Sequence, residues 1–387
     1  MVSRMRSLPR LLTLLAVASS VSLSACALPY YWQAVGGQLE LLRKRTPIAI
    51  VLEDPAMTSD TKNALRRVVE IRRYAVDELG LPDNGSYRSY AELGRPAVVW
   101  NVIAAPEFSV EPEQWCFPFA GCVTYRGYFE EANARRFALR LDAQGMDTYI
   151  AGASAYSTLG YFDDPVLDTM LTGGEEYVAG VLFHELAHQR FYIKGDSELN
   201  EAFATVVEEY GTQSWLRGRG EDQALAAYRQ RLVRRADFAR LVMDQQARLR
   251  DIYALALPPG SKRAAKAEAF QAMRAEYEAL RQAWGGAGEY DAWFSGPLNN
   301  AQLASVATYR RWMPGLRWYV RQRGLEAFYA EMEEIGGLPG EARRVRLEGW
   351  AAAALSARQT AAAAPAPAGG GPGRPDSSVP RRPWTSQ

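Results

Sequence analysis

Apolar side chains recur every three or four positions over most of the chain after residue 200, which is the period of an amphipathic helix. This spacing predicts helices over residues 200–217, 222–253, 261–284, 300–323, 325–335 and 340–357. Residues 222–284 are expected to form a long antiparallel hairpin, broken at residues 258–260 where two prolines and a glycine interrupt the helical pattern. Charges of both signs cover this hairpin, as is typical of a solvated surface. The second half of the chain is therefore predicted to be almost wholly helical.

The first half of the chain mixes helical and strand patterns. Helices are predicted over residues 30–45, 60–81 and 129–142, and strands over residues 95–104, 120–128 and 146–157. After Gly173 and Gly174, residues 175–192 are rich in apolar side chains and predict a buried helix. Short strands before a buried helix, followed by a helical second half, indicate the α+β class.

The buried helix carries an H-E-x-x-H motif formed by His184, Glu185 and His188. Positions i and i+4 share a helix face, so the two imidazoles point into the same space and can occupy two positions around a tetrahedral zinc ion. Glu185 leaves the helix about 100° from His184, where it can accept a proton from water activated by the metal. The chain has two histidines, and both belong to this motif. Zinc is therefore favoured over two histidines that only hydrogen-bond to neighbours inside a buried helix.

The third zinc ligand must be a carboxylate or a cysteine, because no further histidine is present. The candidates downstream are Asp196, Glu198, Glu201, Glu208 and Glu209. Glu201 is favoured, because a helix that starts after the turn at residues 195–197 can return this carboxylate to the face of the histidines. Glu208 lies seven residues further on the same face and is expected to accept a hydrogen bond from an imidazole N–H. Glu209 is expected to be solvated.

The segment NEAFA at residues 200–204, after the histidine motif, resembles the gluzincin metallopeptidases, which bind zinc with two histidines and one glutamate. More closely, most of the chain after the leader resembles a family of bacterial lipoproteins described as aminopeptidases. The segments that carry this second resemblance are YYWQA at 30–34, WCFP at 115–118, YRGYF at 125–129, YSTLGYFDDP at 156–165 and LNNA at 298–301.

This resemblance implies a zinc aminopeptidase that acts on peptides, with zinc on His184, His188 and Glu201 and with Glu185 as the catalytic base. It also implies a zincin-like core, in which a small mixed sheet precedes the active-site helix. Twelve residues separate His188 from Glu201, fewer than in well-studied gluzincin aminopeptidases. A zinc endopeptidase therefore stays open as an alternative. The alternative from another class is a non-catalytic envelope lipoprotein that keeps zinc for folding.

In zinc metallopeptidases of this type, the edge strand of the sheet binds extended substrate through main-chain hydrogen bonds. Here the candidate edge is residues 151–156, which are rich in small side chains. An ordinary packed strand is the alternative. Tyr309 is the favoured donor to the oxyanion that forms during hydrolysis, and Tyr125 and Tyr156 compete with it. Each of these tyrosines also fits a packing role.

Residues 1–25 read as a secretory signal, with Arg4, Arg6 and Arg10 before an apolar run. The segment LSAC at 23–26 resembles a bacterial lipobox, which implies lipid on Cys26 and a membrane anchor; an ordinary signal peptide or an uncleaved helix is the alternative. Ala27 after the cysteine is typical of Gram-negative lipoproteins that face the periplasm from the outer membrane. In that oxidising compartment Cys116 and Cys122 are expected to form a disulfide, in preference to binding a metal.

Charge and composition complete the expected organisation. The net charge of +1 gives no indication of a nucleic-acid partner. The last residues are rich in Ala, Pro, Gly and Ser, which is typical of disorder. Four segments are expected: a signal peptide at 1–25, a zincin-like catalytic core at 26–217, a helical region at 218–357 and a disordered tail at 358–387.

Overall fold

The computed structural model describes residues 28–117, 121–307 and 311–363. The expected signal segment, Cys26 and Tyr309 lie outside these ranges. The helices are α1 (Leu28–Lys44), α2 (Ile48–Glu53), α3 (Ser59–Asp77), α4 (Glu131–Asp142), α5 (Glu175–Arg190), α6 (Ser197–Gly218), α7 (Asp222–Ala254), α8 (Pro259–Ala283), α9 (Asp291–Ser295), α10 (Asn300–Ala307), α11 (Met313–Gly337) and α12 (Gly340–Ala363). A 3₁₀ helix, Asp168–Gly173, precedes α5. The α+β class is confirmed.

The strands form two small sheets and one hairpin. They are β1 (Thr46–Pro47), β2 (Ser89–Ala91), β3 (Val99–Pro106), β4 (Trp115–Phe117), β5 (Gly121–Val123), β6 (Arg126–Tyr128), β7 (Met146–Ala153) and β8 (Val166–Leu167). The larger sheet has the order β6-β3-β7 and is antiparallel throughout, with Trp100 opposite Gly152. The mixed pairing expected of the sheet occurs in the other one, β1-β2-β8. A disulfide joins Cys116 and Cys122 across the β4-β5 hairpin.

Helices α5 and α6 lie at the centre of the main apolar core. Leu182, Phe183 and Leu186 of α5 are fully buried, as is Phe203 of α6. The two helices approach closely at Gly211, where an added Cβ would lie 2.8 Å from the Phe183 ring. Residues of α3, α11 and α12 also contribute to this core. The core therefore includes residues from both sides of position 217, where the boundary between the catalytic core and the helical region was expected.

A second core lies between α7 and α8, which form the expected long hairpin. Phe238, Met273 and Tyr277 are among its buried residues, and Phe294 of α9 stacks on Tyr277 with ring centroids 4.0 Å apart. Pro259 begins α8, where proline is tolerated because the first N–H of a helix needs no partner. Helix α10 then packs on one face of the β6-β3-β7 sheet.

Several element ends differ from the sequence-based expectations. The strand expected over 120–128 is two short strands, β5 and β6, and the strand expected to 157 ends at Ala153. The helix expected over 300–323 is divided between α10 and α11, and α11 continues through a kink at Gly324, which has φ +79°. Helix α12 runs to Ala363, beyond the expected end at 357. No helix in the described ranges is both long enough and apolar enough to span a membrane.

Candidate active site

Helix α5 presents the histidines from a buried position. It starts after Gly174, whose φ of +81° suits glycine, and Glu175 and Glu176 in its first turn favour the positive end of the helix dipole. His184 is half-buried and His188 is 7% exposed. A helix with apolar residues on every side must lie inside the molecule. The polar side chains of the motif therefore have to find partners among neighbouring elements.

The turn between α5 and α6 positions the third candidate ligand. Asp196 caps α6 by accepting a hydrogen bond from the Leu199 N–H at 3.2 Å. The Asn200 side chain accepts from Ile193 N at 2.7 Å and donates to Ile193 O at 2.8 Å. These bonds join the start of α6 to the chain just after α5. They fix the turn that directs Glu201 back toward the histidines.

The structure brings His184, His188 and Glu201 together. Their ligating atoms all lie within 4.8 Å of one another, and this group of three can hold a metal ion. The two histidine Nε2 atoms are 3.2 Å apart. Glu201 Oε2 lies 3.3 Å from Nε2 of His184, and its Oε1 lies 3.7 Å from Nε2 of His188.

The other nitrogen of each imidazole has a different environment. Nδ1 of His184 lies 3.1 Å from Oε2 of Glu208, which directs Nε2 toward Glu201. Arg235 donates to Oε1 of Glu208 at 3.2 Å. Nδ1 of His188 is buried and has no hydrogen-bond partner among the described residues. The polar contacts of His188 are therefore concentrated at Nε2.

Glu209 is buried, and the expectation that it is solvated is wrong. Its side chain is 6% exposed and accepts two hydrogen bonds from the Arg317 guanidinium, at 2.6 and 2.5 Å. The sequence gives no signal for Arg317, because it lies 108 residues away on α11. The same holds for Arg235 on α7, 27 residues from Glu208. Both arginines line a cavity of about 200 Å³ beside His184 and Glu201.

The carboxylates dominate the electrostatics of the cluster. Burial alone would lower the pKa of His184, but its hydrogen bonds to the carboxylates of Glu201 and Glu208 outweigh burial and raise it well above its usual value. Burial would raise the pKa of Glu201, yet the two histidines hold it far below its usual value. The pKa of Glu185 is raised, chiefly by burial. Three carboxylates around two imidazoles make this a site that attracts a cation.

Two larger clefts meet at His184 and Glu185. The first, which we call the aromatic cleft, has a volume of about 460 Å³ and is also bordered by His188 and Glu201. Its aromatic lining residues are Tyr30, Phe117, Tyr125, Phe129, Tyr156 and Tyr192. The second, which we call the α7 cleft, has a volume of about 860 Å³ and is lined by α5, α7 and the end of β7. Both clefts include Ala153 and Ala155 in their lining.

The structure describes two of the three tyrosines that the sequence offered as oxyanion donors. Tyr125 and Tyr156 line the aromatic cleft, and so does Tyr192, which the sequence-based prediction missed. Tyr192 is the last residue of the predicted metal-binding helix, and this position was its only signal. The pKa of Tyr125 is raised, first by burial and then by the charge of Glu201. Tyr309 stays a prediction.

Both glutamates in the first turn of α5 form ion pairs with arginines. Glu175 lies 3.0 Å from Arg67 and 3.6 Å from Arg219, and Glu176 forms an ion pair with Arg231. Each of these carboxylates therefore already has a cationic partner.

Comparison with known proteins places these residues in a family. A family model described as "Putative aminopeptidase" matches residues 29–347. No curated protein and no solved structure matches the chain. Because the matched residues span most of the chain and include the whole His–Glu cluster, the chain belongs to the family described as "Putative aminopeptidase".

Proposed function

We propose that this chain is a zinc-dependent aminopeptidase in which Glu185 is the general base. The observation that carries the proposal is the convergence of His184, His188 and Glu201 at one point beside Glu185, where two clefts meet. Membership of the aminopeptidase family independently supports peptidase activity. A buried helix with this motif beside a small sheet also supports a zincin-like core.

The cluster fits zinc by its chemistry and by its spacing. Two imidazole nitrogens and one carboxylate oxygen form a donor set of catalytic zinc sites. Ligands at about 2.0–2.1 Å from a tetrahedral centre lie about 3.3 Å from one another, close to the 3.2, 3.3 and 3.7 Å between these donors. In the described part of the chain, no fourth His, Cys, Asp or Glu joins the group. Three protein ligands leave the fourth position open, which favours catalysis over a purely structural site.

Bound zinc would polarise the peptide carbonyl and lower the pKa of water. The side chains supply the rest of the reaction. Glu185 faces both clefts beside the cluster, so its carboxylate can take a proton from the attacking water and give it to the departing amine. Glu208 keeps His184 oriented through Nδ1. A phenol in the aromatic cleft, or Tyr309, would donate a hydrogen bond to the developing oxyanion.

The end of β7 offers a surface for an extended peptide. β7 is an outer strand of the β6-β3-β7 sheet, and residues 153 and 155 line both clefts. A peptide that pairs antiparallel to this segment would direct its amino-terminal end toward residues 155–159. Those later residues border the aromatic cleft, whereas Gly152 borders the α7 cleft. The aromatic cleft would then receive the amino-terminal residue of the peptide, and the α7 cleft would receive the rest.

The aminopeptidase assignment predicts that a free substrate amino terminus is required. Turnover of a peptide library should fall by about a hundredfold or more when the amino termini are acetylated, since a blocked terminus cannot enter the aromatic cleft. The measurement is mass-spectrometric detection of released products, with Glu185→Gln as the inactive control. Equal turnover of free and acetylated peptides would instead assign a zinc endopeptidase. Zinc binding without hydrolysis of any peptide would favour the non-catalytic alternative.

A further inference from the structure

Helix α1 has two apolar faces, although a helix at a protein surface ordinarily has one. Its inner face packs on the molecule: Leu41 is buried, and Gly37 lies so close to Phe129 that an added Cβ would overlap its ring. Gln33 fixes this orientation by donating to Gly127 O at 3.3 Å and accepting from Phe129 N at 3.0 Å. These contacts therefore also define which side of α1 faces away from the rest of the molecule.

The outward side carries four large apolar residues. Tyr31, Trp32, Val35 and Leu39 are 41%, 82%, 55% and 42% exposed. At about 100° per residue, they fall within an arc of roughly 100°, nearly opposite the inner face. Single exposed apolar residues are normal on proteins, but a continuous stripe marks an interaction surface. Arg43, exposed in the last turn, lies at the edge of this stripe.

We propose that this outer face of α1 docks on the surface of a lipid bilayer. The helix begins at Leu28, two residues after Cys26, the predicted site of lipid attachment. Two residues of extended chain span at most about 7 Å. A lipid on Cys26 would therefore hold the start of α1 at the bilayer surface. Tryptophan and tyrosine favour the membrane interface, and a nearby arginine favours anionic lipid headgroups.

A second copy of the chain is a poorer occupant of this face. Stable protein interfaces bury about 800 Å² on each partner, and four side chains of one helix provide much less than that area. A bilayer sets no such minimum area, because the partitioning of a surface helix scales with whatever apolar area it buries and with its attraction to anionic lipids.

Docking would also orient the candidate active site. Tyr30 and Ala34, on the inner side of the same helix, line the aromatic cleft. One wall of that cleft would then be the helix that lies on the membrane. If the proposed peptidase function holds, its substrates are peptides presented at the bilayer surface.

The test uses the chain from residue 26 onward with Cys26→Ser, so that no lipid contributes. We expect it to sediment with vesicles of phosphatidylethanolamine and phosphatidylglycerol. Replacing Tyr31, Trp32, Val35 and Leu39 together with serine should weaken partitioning by at least about tenfold, because apolar area no longer leaves water. The matched control replaces Leu139, Val233, Val345 and Leu355, which are 58–65% exposed elsewhere, and should partition like the parent.

A second measurement locates the contact. Brominated lipids should quench the fluorescence of Trp32, and the quenching should be absent in Trp32→Phe. The proposal is overturned if the parent does not bind vesicles, or if the two sets of substitutions weaken binding equally. It is also overturned if the parent is a dimer by analytical ultracentrifugation and the α1 variant is a monomer, which would assign the face to a second copy. None of these outcomes depends on peptidase activity.

Discussion

Glu208 and Glu209 are adjacent in the sequence, but each carboxylate holds a different part of the molecule. Glu208 lies between His184 and Arg235, whereas Glu209 binds Arg317 on α11. The seven-residue spacing from Glu201 was enough to predict that Glu208 shares the side of α6 that faces His184. The partners of Glu209 could not be predicted, because a residue 108 positions away becomes a neighbour only when the chain folds.

Because the two carboxylates have different partners, we expect Glu208→Gln and Glu209→Gln to change different properties of the protein. Glu208→Gln should weaken zinc binding by about 10–100-fold, because Nδ1 of His184 loses its anionic partner. Glu209→Gln should leave zinc affinity within about twofold of the parent and should lower the free energy of unfolding, since the half-buried Arg317 loses its paired charge. Zinc competition titration and denaturant unfolding measure the two quantities. An equal loss of zinc affinity in both variants would contradict the assigned role of Glu208.

Asp164 predicts a pH dependence of stability. It is 2% exposed, and burial raises its pKa to about 6 despite hydrogen bonds from Thr158. Between the unfolded pKa and about 6, the folded chain keeps a proton that the unfolded chain has lost, so stability decreases as pH rises. The total change is about 3 kcal/mol, at 1.36 kcal/mol per pKa unit.

The measurement is the free energy of unfolding of the parent and of Asp164→Asn at several pH values. The variant cannot titrate at this position, so its stability relative to the parent should increase by up to about 3 kcal/mol from pH 4 to pH 7. A difference that stays constant with pH would show that Asp164 ionises normally in the folded chain.

At the scale of elements, the close contact of α5 and α6 depends on Gly211. An alanine Cβ there would lie 2.6 Å from Leu79 Cδ1 and 2.8 Å from the buried Phe183 ring. Gly211→Ala should therefore destabilise the fold by about 1–2 kcal/mol, although alanine is the better helix former. Gly218→Ala, in the same helix with nothing within 4 Å, should be neutral or stabilising. Thermal and denaturant unfolding test both variants, and equal stability of the two would contradict this packing.

The helices were easier to predict than the strands. The hairpin of α7 and α8 follows directly from its apolar period and from the residues at 258–260. Strands of two or three residues, such as β1 and β8, are too short to show an alternating pattern, and their pairing joins distant segments. The break between α10 and α11 was missed, because the apolar spacing continues across it.

At the scale of the whole molecule, the candidate site lies where separate parts of the chain meet. Helix α5 and helix α6 supply the cluster, α7 supplies Arg235, and α1 with the β6-β3-β7 sheet borders the aromatic cleft. The motif predicted the two histidines of the cluster, and the helix expected after the turn at residues 195–197 favoured Glu201 among five carboxylates. Both predictions were possible because this geometry is local to two consecutive helices. The clefts could not be predicted, since their walls come from residues more than a hundred positions apart.

The most direct measurement is the zinc content and zinc affinity of the purified chain from residue 27 onward, beside its His188→Ala variant. We expect about one zinc per chain in the parent, and loss of tight zinc binding in the variant with an unchanged circular dichroism spectrum. His188 is the ligand to remove, because its polar contacts are concentrated at Nε2. A parent that contains no zinc and takes up none with high affinity would contradict the proposed metal centre and the hydrolytic mechanism built on it.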